Sequence, residues 1–157
     1  MKGWLLDTHV VAALINPRGA PSVKAWASVH DEDTFHISGL TLAEYDKGIH
    51  NLPDDHADRP RYIAARDALA ERFGVRVFSV DDEIVRRRGR ISGEVKRASG
   101  HALPVIDALL AATAMEHDLS LVTRNVKDTK PTGAIVFNPW TDDARMFPLS
   151  PRTGRRP

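Results

Sequence analysis

The chain has 157 residues, 42% of them hydrophobic and 27% charged, which suits one domain with a well-buried core and argues against extended disorder. There is no cysteine, so disulfides, thiol catalysis, iron–sulfur clusters and thiolate zinc sites are excluded, and a reducing cytoplasm is the expected location. Net charge is +1, but Arg152, Arg155 and Arg156 lie in a Pro-rich end, and the rest holds 19 basic against 21 acidic residues. A slightly acidic body is not a general polyanion binder. The start reaches a charge at Asp7, too soon for a signal peptide, and no apolar run approaches the roughly 20 residues of a membrane span.

In chain order, residues 3–7 (GWLLD) read as a short buried strand ending abruptly at an acid. Residues 10–15 form a helical turn closed by Asn16-Pro17-Arg18-Gly19, and Pro21 starts a helix through Val29. Residues 34–38 (TFHIS) are a second strand, and 40–52 a helix stopped by Pro53. After a polar loop, residues 61–73 form an amphipathic helix with Ile63, Ala64, Leu69 and Phe73 inward, ended by Gly74. Residues 75–80 (VRVFSV) alternate as a third strand, and 81–99 form a charged helix with a break expected near Gly89 or Gly93. Residues 104–118 are apolar nearly all round and read as a buried helix; 120–123 and 134–137 are strands four and five. Strands alternating with helices imply a three-layer α/β/α fold around a parallel sheet of about five strands. Residues 1–147 form the domain in this reading, and 148–157 a flexible basic tail.

Ligands of open parallel sheets bind beyond the carboxyl ends of the strands, near the reversal of strand order. Asp7 lies at such an end, as do Thr123, Asn125 and Asp128 after the fourth strand. Asp107 sits among Val105, Ile106, Ala108, Leu109 and Leu110, where an ionised carboxylate is costly unless paired or bound to a cation. A helix N-terminus also favours an acid there. Glu44 closes a Thr-x-x-Glu capping box with Thr41 and, taken alone, reads as a cap. Asp7 alone is an ordinary strand-end residue, and Asn125 and Asp128 a polar turn. Together, these acids make an all-oxygen set suited to Mg²⁺ or Mn²⁺ and to phosphodiester hydrolysis, whereas zinc is disfavoured.

Four motifs in order, LLDTHV (5–10), SGLTLAEYDKGI (38–49), LPVIDALLAATA (103–114) and LVTRNVKD (121–128), resemble PIN-domain proteins, and within them the VapC toxins of type II toxin–antitoxin systems, especially the FitB-like branch. The resemblance runs from about residue 3 to residue 140. It implies a Mg²⁺- or Mn²⁺-dependent endoribonuclease with one or two metals, in which Asp7, Glu44 and Asp107 match acidic metal-site positions. Where many relatives have a further acid, this chain has Asn125, with Asp128 three residues later; either fills the fourth place. Thr123 would orient a carboxylate or water, and Thr8 or His9 would line the pocket. The resemblance further implies a homodimer, a small cognate antitoxin of the VapB or FitA kind through which alone DNA is met, and transfer or ribosomal RNA as target.

Arg124, Lys127 and Lys130 are the nearest candidates for RNA phosphates. The basic run of Arg86, Arg87, Arg88, Arg90, Lys96 and Arg97 follows three acids, as a solvated helix face would, or forms an RNA-guiding rim. A haloacid-dehalogenase-like phosphatase needs an acid at position 9, which is His9, and a P-loop is absent. The rival from another class is a PIN module that serves chiefly as partner of a DNA-binding antitoxin.

Overall fold

A computed structural model describes residues 2–143 and 145; the expected tail lies outside them. The most apolar segment, β1 (Trp4–Leu6), is wholly buried at the centre of the sheet. It pairs in parallel with β2 (Phe35–Ser38), Trp4 opposite Phe35, and with β4 (Ser120–Val122), Trp4 opposite Ser120. The edges are β3 (Val77–Phe78) and β5 (Val136–Phe137), which gives the all-parallel order β3-β2-β1-β4-β5. The chain leaves β1 toward β2 and β3, then crosses back to β4 and β5. The reversal therefore falls between β1 and β4, where such sheets open a crevice.

Alternation along the strands feeds two cores. Trp4, Leu6, Phe35, Ile37, Val122 and Phe137 face α1 (Thr8–Ile15), α2 (Pro21–Ser28) and α4 (Arg59–Phe73), which contribute Val10, Val11, Val23, Trp26, Leu69 and Phe73. The Trp4 ring meets Trp26 edge-on at 5.3 Å and Phe137 at 5.3 Å. On the other face, Leu5 and Leu121 pack on Leu110, Ala111 and Ala114 of α6 (Val105–Glu116). Ala112 of α6 in turn meets Ile84, Ile91 and Val95 of α5 (Asp82–Ser99). The expected three layers are present, with α3 (Gly39–Asn51) completing the set of long helices.

Four local expectations are corrected. The third strand does not begin at Val75: residues Gly74–Arg76 form a 3₁₀ turn, and Val75 is 98% exposed. Gly74 at φ 49° turns the chain, and the Arg76 guanidinium fixes it by donating to the carbonyls of Glu32, Phe35 and Arg72. Second, α5 runs unbroken past Gly89 and Gly93, which face open space. Asp81 caps it through Ile84 N at 3.0 Å, acids precede and bases follow along the macrodipole, and Gly100 ends it in the left-handed conformation. Third, α6 is not buried all round, since Val105 and Ile106 are 52% and 41% exposed. Fourth, Ala64 faces solvent, leaving Leu69 and Phe73 as the deeply buried residues of α4.

The turn after α1 is as read: Asn16 Oδ1 accepts from Arg18 N at 2.9 Å. Gly19 is required there, because a Cβ would stand 1.8 Å from the Ala13 carbonyl oxygen.

Candidate active site

Asp7 ends β1 and caps α1, its Oδ1 accepting from Thr8 N at 2.6 Å. Its backbone N donates to Val122 O at 2.9 Å, which pins it beside the end of β4. The buried Thr123 hydroxyl donates to Asp7 Oδ2 at 2.7 Å and accepts from Asn125 N at 3.0 Å. Asn125 then reaches both remaining acids, its Nδ2 donating to Asp107 Oδ2 at 2.9 Å and to Asp128 Oδ2 at 3.0 Å. Asp107 comes from the first turn of α6, and Asp128 from α7 (Val126–Thr129), a single turn absent from the expected elements.

The structure thus brings Asp7, Asp107, Asp128, Thr123 and Asn125 into one hydrogen-bonded chain at the β1/β4 switch. Asp107 is partly exposed rather than hemmed in, because Val105 and Ile106 turn outward. Burial, then the charges of Asp7 and Asp128, hold its carboxyl above the ordinary carboxylate range, while the Asn125 hydrogen bond and His9 pull it down. No ion pair among the described residues involves Asp7, Asp107 or Asp128.

Glu44 stands apart. Its expected capping box is not formed: Ser38 caps α3 by accepting from Leu40 N at 3.1 Å, and Thr41 lies inside the helix. The Thr41 hydroxyl instead accepts from Thr8 Oγ1 at 3.2 Å, which joins the first turns of α1 and α3. Glu44 is exposed one turn beyond Thr41, and no hydrogen bond or ion pair among the described residues ties it to the other acids. His9 is exposed beside Thr8, and Arg124, Lys127 and Lys130 are exposed around the Asn125 loop. In the basic run, Arg87 pairs with Glu116 at 2.8 Å and Arg86 approaches Asp82 at 3.9 Å, as a solvated helix face would.

Among the described residues no three Asp, Glu or His side chains form a ready-made metal cage. The donors nevertheless fit a hard cation, since Mg²⁺ is commonly held by one or two carboxylates with water filling its remaining places. Two clustered, uncompensated carboxylates next to a third meet that need.

Sequence reasoning missed a groove of about 510 Å³ between α1, α2 and α4, lined among others by Val11, Leu14, Ile15, Ala27 and Leu69. Its only signal in the sequence was Leu14-Ile15 closing so short a helix. The groove does not include the site acids.

The PIN domain family model matches residues 4–127. The chain is 26% identical over 138 residues to toxin FitB of Neisseria gonorrhoeae, covering 88% of this chain and 99% of that one. It is 27% identical over 139 residues to VapC ribonuclease Y4jK of Sinorhizobium fredii, with 87% and 96% covered. Among solved structures, FitAB bound to an IR36 DNA fragment superposes with TM-score 0.80 at 24% identity, over 89% of this chain and 97% of that one. FitAcB from Neisseria gonorrhoeae gives TM-score 0.75 at 25% identity, over 87% and 98%.

Proposed function

The chain belongs to the PIN-domain family, and from that premise we propose that it is a Mg²⁺- or Mn²⁺-dependent endoribonuclease, the toxin of a VapBC-type pair restrained by a cognate antitoxin. One observation carries the reading. Three carboxylates from distant parts of the chain meet at the sheet's switch point, held in place by Thr123 and Asn125 and neutralised by no lysine or arginine among the described residues. Such a cluster is unfavourable unless a cation joins it.

In this reading Asp7 and Asp107 hold the metal, and Glu44 with Asn125 or Asp128 completes its surroundings directly or through water. The bound ion supplies an activated water and stabilises charge on the phosphodiester. Thr123 fixes the Asp7 carboxylate, Thr8 and His9 line the entrance, and Arg124, Lys127 and Lys130 meet RNA phosphates. The names VapC ribonuclease and toxin FitB among its relatives support the activity and the toxin role. FitAB and FitAcB, which are complexes, support an antitoxin of the FitA or VapB kind. The apolar groove between α1, α2 and α4 fits the apolar side of an antitoxin helix. A homodimer, a cytoplasmic location and a structured RNA target such as transfer or ribosomal RNA complete the proposal.

A second reading, a PIN module working mainly as partner of a DNA-binding antitoxin, is favoured by the DNA in the FitAB structure. The two part on one experiment. Purified, antitoxin-free protein is incubated with total RNA in Mg²⁺, Mn²⁺ or EDTA, beside Asp7→Ala. Discrete metal-dependent products that vanish in the variant establish the nuclease, whereas folded, metal-loaded protein that cuts no RNA leaves the partner role.

A further inference from the structure

Arg124 lies between the two residues that organise the site acids, Thr123 on Asp7 and Asn125 on Asp107 and Asp128. Its guanidinium carbon stands 5.2 Å from the centre of the Trp140 ring. Two other arginines lie over aromatic rings, but each is also tied elsewhere. Arg76, over Phe73, donates to backbone carbonyls, and Arg61, over Tyr62, lies 3.4 Å from Asp58. Arg124 is exposed and, among the described residues, has neither a carboxylate nor a carbonyl partner. Among the described residues its side chain is held by the indole alone.

The turn that carries the indole is itself held. Asn138 follows β5 directly and its Oδ1 accepts from Trp140 N at 3.0 Å, while its backbone oxygen accepts from Thr141 N and Asp142 N at 3.1 and 2.8 Å. Asn138 N donates to Asp142 Oδ2 at 2.9 Å, closing a tight turn. Trp140 is half-buried against the core that contains Phe137. The carbonyl of Phe137 accepts from Thr123 N at 3.0 Å, so platform and arginine spring from the ends of neighbouring strands.

We propose that Trp140 is a positioning residue that presents Arg124 to the substrate, so that the guanidinium grips an RNA phosphate flanking the scissile one. The proposal rests on the nuclease reading above and assigns it a specific grip. Its physical basis is twofold. A cation held over a ring face uses none of the guanidinium's N–H donors, which stay available for a bidentate phosphate contact. A rim cation is also needed where three carboxylates repel the incoming backbone, and a side chain already ordered on a ring loses less freedom when it binds.

Two measurements test it, both on the full chain: steady-state cleavage of bulk transfer RNA with Mn²⁺, and the salt dependence of binding to a fluorescein-labelled single-stranded oligoribonucleotide in EDTA. Arg124→Gln is expected to raise KM about tenfold with a much smaller change in kcat, and to lower the slope of log affinity against log salt by about 0.7. Trp140→Leu should raise KM about three- to fivefold while Trp140→Phe, which keeps a ring, restores most of it. If wild type cleaves but Arg124→Gln leaves KM and salt slope unchanged, the proposal is overturned and the nuclease reading stands. The proposal also fails if Trp140→Leu lowers melting temperature and kcat with KM intact, since Trp140 then only supports the fold. Wild type that neither cleaves nor binds RNA overturns both.

Discussion

Two clusters of charge on this molecule obey opposite rules. At the corner where Gly74–Arg76 leads into β3, Glu32 is met by Arg72 through both oxygens at 2.6 and 2.8 Å, with Arg76 at 3.7 Å. The Arg72 hydrogen bond, opposed by slight burial and reinforced by the charges of both arginines, holds the Glu32 carboxyl below the ordinary carboxylate range. At the β1/β4 switch, by contrast, burial and the charges of Asp7 and Asp128 push Asp107 up. A carboxylate compensated by its own chain fastens the fold. Carboxylates left uncompensated, yet aligned by Thr123 and Asn125, fit the metal-binding role proposed above.

The sharpest break is Asp107→Asn. If Asp107 holds the metal, cleavage of RNA should fall by more than about 100-fold, since even changing a group behind a metal ligand costs about 10–100-fold, while in EDTA the variant melts no lower than wild type because a repelling charge has gone. Loss of fold, or normal cleavage, would remove Asp107 from its role. Next, Mn²⁺ at about 100 times its dissociation constant should stabilise wild type by about 2.7 kcal/mol, or roughly 5–10 °C for a chain of this size. Asp107→Asn should show little of that shift, and Arg72→Ala should show all of it from a lower starting point. Thr123→Val strips the buried donor from Asp7 and leaves Asn125 N without its acceptor, for about 1–3 kcal/mol of stability; denaturant melts beside cleavage rates measure both effects.

The smallest effect concerns Glu32. Because its folded carboxyl is held low, its contribution is fully present above the ordinary carboxylate range and is lost as pH falls through the lowered value. The pair is largely exposed, so the acid-induced loss that Glu32→Gln abolishes should be under about 1 kcal/mol. Urea titrations on both sides of that range provide the reading.

The layers and the co-location of Asp7 with Thr123, Asn125 and Asp128 were legible because these residues follow two strands that adjoin at the switch point; Asp107, on a helix, was joined to them by its apolar surroundings and the family resemblance. What escaped was non-local. Val75 continues the alternation of a strand, and only the Arg76 anchoring to carbonyls of Glu32 and Phe35 shows why the chain turns there. Gly89 and Gly93 suggest a break, yet they face open space on a well-capped helix. The capping box at Thr41–Glu44 was locally plausible until Ser38 took the cap. Neither the Asn125 bridge between two acids nor the Trp140 platform has a local signature, since each depends on where the ends of neighbouring strands fall.

The Thr123–Asp7 hydrogen bond spans 116 residues of chain, and that separation bears on the protein's birth. A nascent chain makes Asp7 almost at once, but the hydroxyl that holds it, the amide of Asn125 and the carboxylate of Asp128 come only after most of the chain is made. At about 5–20 residues per second, roughly 6–23 seconds separate the two ends of that bond. Until β4 is threaded beside β1, Asp7 lacks the hydroxyl that fixes it and Asp107 lacks its Asn125 partner, so a chain terminated before Thr123 cannot assemble this cluster.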